Sequence, residues 1–350
     1  MTGSNLARRG FLFGAAGLGA GAVLAGCTSN EPAGSGEPQQ AAAQGDNAEP
    51  GKQVTIGFSA PAADHGWMAA VTINAKEMAE QFSDVTLNAT EGTNDVNQQI
   101  AQVESLINGG VDALVILPYD GKALTQVGRQ AMEKGIPVVN VDRVFDTALA
   151  YRMWIGGDNY RMGVNAGYYI AEQLKQKNVS NPVIAEVAGL DSLPLTQERS
   201  QGFKDALNTE GFKVTRRVAA EFTPETGEQK TAQLLQAAPK IDALWNHDDD
   251  QGIGVLAAIE NAGRDEFIMV GGAGSKNMMD RIKSDDSVIK ATVLYSPSMA
   301  SSAIAMARLI AQSKGLSDLA EHEVPASITT YSAVVTKENV DQYMDVGFDS

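Results

Sequence analysis

From residue 54 onward, short apolar runs alternate with longer stretches that carry apolar residues at helical spacing. Residues 54–58 form the first apolar run, which predicts a buried strand. The following helix is indicated by apolar residues three or four positions apart, namely Trp67, Val71, Ala75, Met78 and Phe82. The pattern then repeats, with predicted strands at residues 85–89, 111–117 and 137–141 and predicted helices between them. Strands connected by a helix in this way run parallel in one sheet.

The same alternation restarts near Asp158. Helices and strands alternate again, with predicted strands at residues 183–187, 214–218, 243–245, 267–270 and 288–294. Two successive runs predict two doubly wound α/β lobes, each with a parallel sheet covered by helices on both faces. Ligands of such folds bind beyond the carboxyl ends of the strands. The first residues after each strand are therefore the candidates for a functional site.

The N-terminal residues have a different pattern, which predicts a signal peptide over residues 1–26. Arg8 and Arg9 precede an uncharged apolar run rich in glycine and alanine. The paired arginines resemble a twin-arginine export signal, although general secretory signals also contain them. The run ends at residues 24–27 with Leu-Ala-Gly-Cys, which resembles a bacterial lipobox. This motif predicts cleavage before Cys27 and its lipidation, whereas the alternative is a buried N-terminal helix.

Residues 27–51 are rich in Gly, Pro, Ser, Gln and Ala, which predicts a disordered tether behind the lipidated cysteine. The chain is acidic, with 27 Lys and Arg against 43 Asp and Glu and a formal charge of −16. It has no basic block, so nucleic acid is not an expected partner. Cys27 is the only cysteine. The folded part therefore has no disulfide, no thiol nucleophile and no cysteine metal ligand.

Charged and aromatic residues follow two predicted strands of the first lobe. Asp142 and Arg143 come directly after the strand at residues 137–141. They suit a polyhydroxy ligand, because an aspartate accepts from hydroxyls and an arginine donates to ring oxygens; the alternative is a surface ion pair. His65 and Trp67 follow the first strand and offer a hydrogen-bonding tip and an aromatic face for a sugar ring. The alternative is that Trp67 belongs to the core.

Two loops of the second lobe carry further candidate chemistry. Residues 246–250 read Asn-His-Asp-Asp-Asp, where we expect helix-capping carboxylates with one facing the cleft. They lack the periodic spacing of a calcium loop. Residues 271–276 are glycine-rich but lack the spacing of a nucleotide phosphate loop, which leaves a backbone close to a small ligand or a simple turn. No Ser-His-Asp arrangement is visible. We therefore expect no metal, no cofactor and no enzymatic activity.

Residues 53–350 resemble the periplasmic ribose/galactose/xylose-binding family, the substrate-binding subunits of ABC sugar importers. The most typical segments are residues 106–142 and the Arg-Ser-Gln-Gly-Phe stretch at residues 199–203. The resemblance implies a type I periplasmic binding protein, with two doubly wound parallel-sheet lobes joined by a three-strand hinge. The implied crossings lie near Gly157, Ser296 and Pro325. The implied domains are an N-terminal lobe of residues 52–157 plus 297–324 and a C-terminal lobe of residues 158–296 plus 325–350.

Carried over position by position, the resemblance implies ten ligand contacts: Ser59, His65, Trp67, Asp142, Arg143, Gln197, Phe222, Asp248, Ala273 and Tyr295. Four of them depart from the ribose-binding pattern. Gln197 stands where those proteins have an arginine, Ala273 where they have an aspartate, and Tyr295 where they have a glutamine. Asp248 replaces their asparagine. These departures suit a different pentose, a hexose or a polyol better than ribose.

The leading hypothesis is an extracytoplasmic solute-binding subunit of an ABC importer. It would be a monomer, anchored to the outer face of the cell membrane through Cys27. It would close its lobes on a monosaccharide or polyol and dock on a membrane permease that works with a cytoplasmic ATPase. The alternative is a sensory receptor subunit that binds a sugar-like signal such as a furanone autoinducer. A repressor domain conflicts with the export signal, and an enzyme conflicts with the absent catalytic constellation.

Overall fold

The computed structural model describes Asn47, residues 49–316 and residues 323–350. The predicted signal peptide, Cys27 and most of the predicted tether lie outside the described residues. The described chain forms two α/β lobes, each built on a six-stranded sheet with helices between successive strands. The fold predicted from the alternating pattern is confirmed. No helix in the described ranges is long and apolar enough to cross a membrane.

The first lobe contains the elements up to residue 157 and two that return to it later. Its elements are β1 (Val54–Ser59), α1 (Gly66–Glu80), β2 (Val85–Ala89), α2 (Val96–Asn108), β3 (Ala113–Ile116), α3 (Gly121–Glu133), β4 (Val138–Val141), β5 (Met153–Gly157), α9 (Met299–Ala311) and β11 (Ser327–Thr330). The sheet order is β11-β5-β4-β3-β1-β2, and all neighbours are parallel. Helix α9 packs on α1 and on β1, β3, β4 and β5.

The second lobe repeats this architecture. Its elements are α4 (Asn159–Gln176), β6 (Ile184–Ala188), α5 (Pro194–Thr209), β7 (Val214–Ala219), α6 (Pro224–Ala237), β8 (Ala243–Asn246), α7 (Asp249–Asn261), β9 (Ile268–Ala273), α8 (Lys276–Ser284), β10 (Ile289–Leu294) and β12 (Val334–Thr336). The sheet order is β12-β10-β9-β8-β6-β7, in which only the β12–β10 pair is antiparallel.

Sequence determines these elements through strand burial and helix capping. The inner strands β3, β4, β8 and β9 are buried at every residue, as continuous apolar runs predict. The edge strands β2 and β7 are partly exposed. Several helices begin at a side chain that accepts a backbone N–H of the first turn, as Asp95, Asp120, Asp158 and Ser275 do. These caps fix the loops that follow the strand ends.

The chain passes between the lobes three times. The first passage lies between β5 and α4, the second between β10 and α9, and the third between β11 and β12. The sequence-based boundary at residue 325 is wrong for Ser327–Thr330, which it assigns to the second lobe. These residues instead form a parallel pair with β5 and satisfy the hydrogen bonds of that sheet edge. The third passage therefore comes after Thr330 rather than at Pro325.

Candidate functional site

The carboxyl ends of both sheets face a small cavity between the lobes. Its lining comes from the two lobes and from the second passage: His65, Trp67, Met68, Asp142, Arg143, Leu195, Arg199, Phe222, Asp248, Ala273 and Tyr295. The free volume is about 30 Å³. That is room for about one or two water molecules. The protein's own side chains therefore fill most of the space between the strand ends.

Asp142 and Arg143 form the charged wall that the first lobe contributes. Asp142 follows β4 in the left-handed region, at φ 58°, and its side chain is buried. Its Oδ1 accepts the hydroxyl of Tyr295, and its Oδ2 lies 3.9 Å from Nε of Arg143. Nη1 of Arg143 donates to the carbonyl of Tyr119 at 2.7 Å. Nε of Arg143 is buried without a hydrogen-bond partner among the described residues, and burial lowers the pKa of this guanidinium.

Arg199 and Asp248 form the charged wall of the second lobe. Nε of Arg199 donates to Oδ1 of Asn159 at 2.9 Å, and its Nη1 donates to the carbonyl of His247 at 3.2 Å. The guanidinium carbon lies 4.6 Å from the centre of the Tyr295 ring. Asp248 caps α7 by accepting two backbone N–H groups. Burial, followed by the charge of Asp250, raises the pKa of Asp248 well above its usual value.

Aromatic rings close the cavity and connect the lobes. Nε1 of Trp67 donates to the carbonyl of Tyr295 at 2.8 Å, and the two ring centres are 5.8 Å apart. The backbone N–H of Trp67 donates to Oδ2 of Asp250 at 2.8 Å, which is a bond between the first and second lobes. The ring of Tyr295 lies against Gly157, where an added Cβ would be 2.1 Å from the ring. The lobes are therefore held closed by groups at the strand ends.

Three cavity residues adopt a backbone conformation that side chains rarely favour. Asp142, Phe222 and Ala273 have φ values of 58°, 65° and 82°. An aspartate tolerates this region, but for alanine and phenylalanine it is strained by about 1–3 kcal/mol each. Each of these residues lies just after a strand or at its carboxyl end. Strain concentrated at one cavity is typical of a binding site.

Eight of the ten predicted site residues line this one cavity, and two do not. Ser59 is buried behind the cavity, where its hydroxyl accepts from Gln99. Gln197 lies on the exposed side of α5, where Nε2 donates to the carbonyl of Asp191 at 3.0 Å. Ser59 and Gln197 therefore lie outside this lining, and their predicted ligand contacts stay predictions. Ser59 points away from the cavity because the last residue of a strand points to one face of the sheet only.

The sequence prediction missed Arg199, Met68 and Leu195. Arg199 was present in the typical stretch at residues 199–203, but Gln197 was matched to the family arginine in its place. Because Gln197 and Arg199 are two positions apart on a helix, their side chains point to different faces of α5. Arg199 lies four residues after Leu195 and four before Phe203, so it shares their buried face, whereas Gln197 faces away. The cavity therefore contains an arginine, Arg199, that the position-by-position comparison did not assign to the site.

The three consecutive aspartates, at residues 248–250, accept hydrogen bonds from three different parts of the chain. Asp248 caps α7, and Asp250 accepts from Trp67 across the cleft. Asp249 accepts from the backbone N–H groups of residues 272, 274 and 275 and from the Thr292 hydroxyl. The glycine-rich loop thus binds a carboxylate of its own chain. Across the described ranges, no three His, Cys, Asp or Glu side chains converge as a metal site.

Comparison with known proteins identifies the class of protein that this fold and cavity define. Residues 56–315 match the periplasmic binding protein domain. The chain is 30% identical over 248 residues to the ribose import binding protein RbsB of Bacillus subtilis, a match that covers 71% of this chain and 78% of that protein. The chain therefore belongs to the periplasmic sugar-binding protein family, as its sequence resemblance implied.

Two solved structures share the fold along most of their length. One is a Mycobacterium smegmatis protein in complex with β-D-fucofuranose, at 25% identity and a TM-score of 0.75. The other is the periplasmic component of the arabinose ABC transporter of Shewanella sp. ANA-3, bound to α- and β-L-arabinofuranose, at 26% identity and a TM-score of 0.72. Each match covers 83% of this chain and 94% of the other.

Proposed function

We propose that this chain is the extracytoplasmic solute-binding subunit of an ABC importer and that it binds a monosaccharide or polyol between its lobes. The proposal is carried by one observation: Asp142, Arg143, Arg199 and Asp248 converge with three aromatic rings on one inter-lobe cavity. Carboxylates accept from sugar hydroxyls, guanidinium groups donate to sugar oxygens, and aromatic faces pack against the apolar face of the ring. The arabinofuranose and fucofuranose complexes of similar proteins support a furanose as the ligand.

Binding by this route requires the lobes to open. Trp67 and Tyr295 line the cavity and are hydrogen-bonded to each other, and about 30 Å³ is too small for a sugar ring. The three passages between the lobes supply the hinge for such a motion. Opening breaks the Trp67–Asp250 bond and frees Asp142 from the Tyr295 hydroxyl. We propose that the ligand replaces Tyr295 as the partner of Asp142 and that the lobes close again around it.

A calorimetric screen tests the ligand class. The purified protein without its first 26 residues would be titrated with L-arabinose, D-ribose, D-galactose, D-fucose, glycerol and myo-inositol. We expect at least one of these to bind with a dissociation constant of about 1 μM or below, which corresponds to about 8 kcal/mol. Dialysis against EDTA should not change the affinity. Failure of every polyhydroxy compound to bind would reject the proposal, and binding that requires added calcium would reject the metal-free site.

The importer role needs a test in cells. Deleting the gene should abolish uptake of the radiolabelled ligand, because a permease receives its solute from the binding protein. The ligand should be recovered from the protein chemically unchanged, since we propose no catalysis. If the deletion strain takes up the ligand normally but loses its transcriptional response to it, the protein has a sensory role rather than a transport role.

We also propose that the protein is exported and anchored by lipidated Cys27. The lipobox at residues 24–27 and the paired Arg8 and Arg9 support this, and the family is extracytoplasmic. Mass spectrometry of the membrane-bound protein should find a diacylated Cys27 as the first residue. Replacing Cys27 by Ser should release the protein from the membrane fraction. An intact Met1 on the membrane-bound protein would contradict the anchor.

A further inference from the structure

A larger cavity opens directly beside the inter-lobe cavity. Its free volume is about 410 Å³, compared with about 30 Å³ for the inner one. Asp142, Arg143 and Leu195 line both cavities, so the two spaces share a wall. We call the larger space the side chamber and define it by Asp120, Lys122, Tyr151, Trp154, Pro194 and Glu198. A volume of this size lies in the range of small-molecule sites.

The side chamber has an aromatic and apolar lining beside the shared wall. Nε1 of Trp154 donates to the backbone carbonyl of Asp142 at 3.0 Å, which fixes the indole next to the charged pair. The Trp154 ring lies across Gly156, where a Cβ would come within 2.2 Å of it. Tyr151 and Pro194 add further apolar surface from the first and second lobes. The chamber therefore offers apolar packing surface as well as volume.

The charged groups of the side chamber are mainly acidic. Asp120, Asp146 and Glu198 line it outside the shared wall, and Lys122 is the cation on that side. Partial desolvation, followed by repulsion from Asp158 and Asp142, raises the pKa of Glu198. A carboxylate under repulsion disfavours a second anion nearby. The chamber thus suits an uncharged or cationic group rather than a phosphate or a carboxylate.

We propose that the side chamber holds the substituent of a substituted sugar, such as a glycoside or a short oligosaccharide, whose ring occupies the inner cavity. This inference rests on the proposed sugar-binding function and names its substrate class more closely. The shared wall makes the connection: a ring oxygen or hydroxyl bound by Asp142 and Arg143 lies at the opening to the chamber. Any group attached at that position extends into about 410 Å³ of space instead of clashing with a closed wall.

Paired ligands with and without a substituent test the inference. Calorimetry would compare L-arabinose with 4-nitrophenyl α-L-arabinofuranoside, and D-ribose with methyl β-D-ribofuranoside. We expect at least one substituted sugar to bind at least tenfold more tightly than its free partner. The 4-carboxyphenyl arabinofuranoside should bind more weakly than the nitrophenyl compound, because its charge meets the acidic lining. Equal affinities for those two aryl glycosides would contradict the charge argument.

A matched pair of tryptophan variants locates the substituent. Glu198→Trp narrows the chamber at its lining, and the ratio of substituted to free-sugar affinity should fall at least fivefold. Gln197→Trp puts the same side chain on the outward face of the same helix and should leave the ratio unchanged, with thermal unfolding checked for both. If free sugars bind and substituted sugars are excluded, or if Glu198→Trp leaves the ratio unchanged, the inference fails while the proposed function stands. If no free or substituted sugar binds, the proposed function itself fails.

Discussion

Two Asp–Arg pairs of the first lobe have the same charged groups but lie at opposite ends of the sheet. Asp84 and Arg308 lie at the amino ends of the strands, because Asp84 directly precedes β2. Asp142 and Arg143 lie at the carboxyl ends, directly after β4. Both pairs are removed from solvent, with side-chain exposures of 1% and 2% for the first and 4% and 10% for the second. Burial alone therefore does not separate a structural pair from a functional one.

The Asp84–Arg308 pair is fully satisfied by its own chain. Nε and Nη2 of Arg308 donate to the two carboxylate oxygens at 2.7 and 2.6 Å. Its remaining donors reach the carbonyls of Asn47 and Glu49, and Asp84 also accepts from Gly51 and Gln312. The hydrogen bonds from Arg308 are the main cause that lowers the pKa of Asp84 below its usual range. This pair leaves nothing for a ligand.

The Asp142–Arg143 pair is loose by comparison. Its closest charged atoms are 3.9 Å apart, and Nε of Arg143 has no partner among the described residues. Asp142 is bound by Tyr295, a residue on a passage between the lobes that can move when the lobes open. The two pairs therefore differ in unsatisfied hydrogen-bonding capacity beside a cavity rather than in burial, and this difference supports the proposal that Asp142 and Arg143 bind the ligand. Four variants can break or sharpen this comparison.

The largest effect is expected for Arg308→Ala. Removing one partner leaves Asp84 buried without its charge partner, which should lower the free energy of unfolding by about 3–5 kcal/mol. Arg129→Ala is the control, because Arg129 forms an exposed pair with Glu133 on α3 and should cost about 0.5 kcal/mol or less. Urea denaturation at pH 7 measures both. A loss below about 1 kcal/mol for Arg308→Ala would show that the pair is not a stabilising element.

Asp142→Asn should weaken ligand binding at least tenfold, or about 1.4 kcal/mol. Asparagine keeps the shape and tolerates the left-handed φ of 58°, so the variant removes the charge without straining the backbone. Asp285→Asn is the matched control, since Asp285 has a φ of 57° and lies on the surface away from the cavity. Calorimetry with the identified ligand decides. Parental affinity in Asp142→Asn would reject the assignment of this pair to the binding site.

Arg199→Lys should lower affinity by about tenfold. Lysine keeps the charge but loses the planar group that stacks on Tyr295 and donates to both Asn159 and His247. Gln197→Ala, on the outward face of the same helix, should change affinity less than twofold. The two variants together test whether Arg199 or Gln197 contacts the ligand. A larger effect from Gln197→Ala than from Arg199→Lys would favour Gln197, the residue that the sequence resemblance implied.

The smallest expected effect is the loss of stability at acidic pH that depends on Asp84. The pKa of Asp84 is lower in the folded protein than its ordinary value of 3.8, chiefly through Arg308. A lowered pKa gives stability that is present above the unfolded value and is lost as the pH falls towards the folded value. The stability advantage of the parent over Asp84→Asn should therefore shrink by about 1 kcal/mol between pH 5 and pH 3. Urea denaturation at both pH values measures it, and a constant advantage would contradict the shift.

The strand-end rule found Asp142, Arg143 and Trp67 from sequence because parallel strands place such residues at one edge. The sequence could not distinguish Ser59, which ends a strand but contacts Gln99 outside the cavity lining. It could not show that Phe222 and Ala273 adopt positive φ, since neither residue type predicts it. Asn159 and His247, which fix Arg199, act through contacts between distant elements. The local sequence pattern predicts where a residue lies along a helix or strand. Whether its side chain points into the cavity depends on how several elements pack together.

The same reasoning explains why one hinge boundary was wrong. Ser327–Thr330 is short and polar, and its pattern carries no signal for the lobe it joins. Its assignment depends on the free edge of β5, which becomes visible only when the first sheet is assembled. By contrast, the buried strands β3 and β4 were predicted from sequence, because continuous apolar runs between helices have few alternatives.

Thermal unfolding with and without ligand tests the central claim most directly. A ligand that binds only the folded state stabilises it by an amount that depends on its concentration and dissociation constant. At one saturating concentration of the identified sugar, Arg308→Ala should start from a lower melting temperature and gain the same stabilisation as the parent. Asp142→Asn should start near the parental melting temperature and gain clearly less. Equal gains in the parent and Asp142→Asn, or a lost gain in Arg308→Ala alone, would contradict the division of the two pairs into one that binds and one that stabilises.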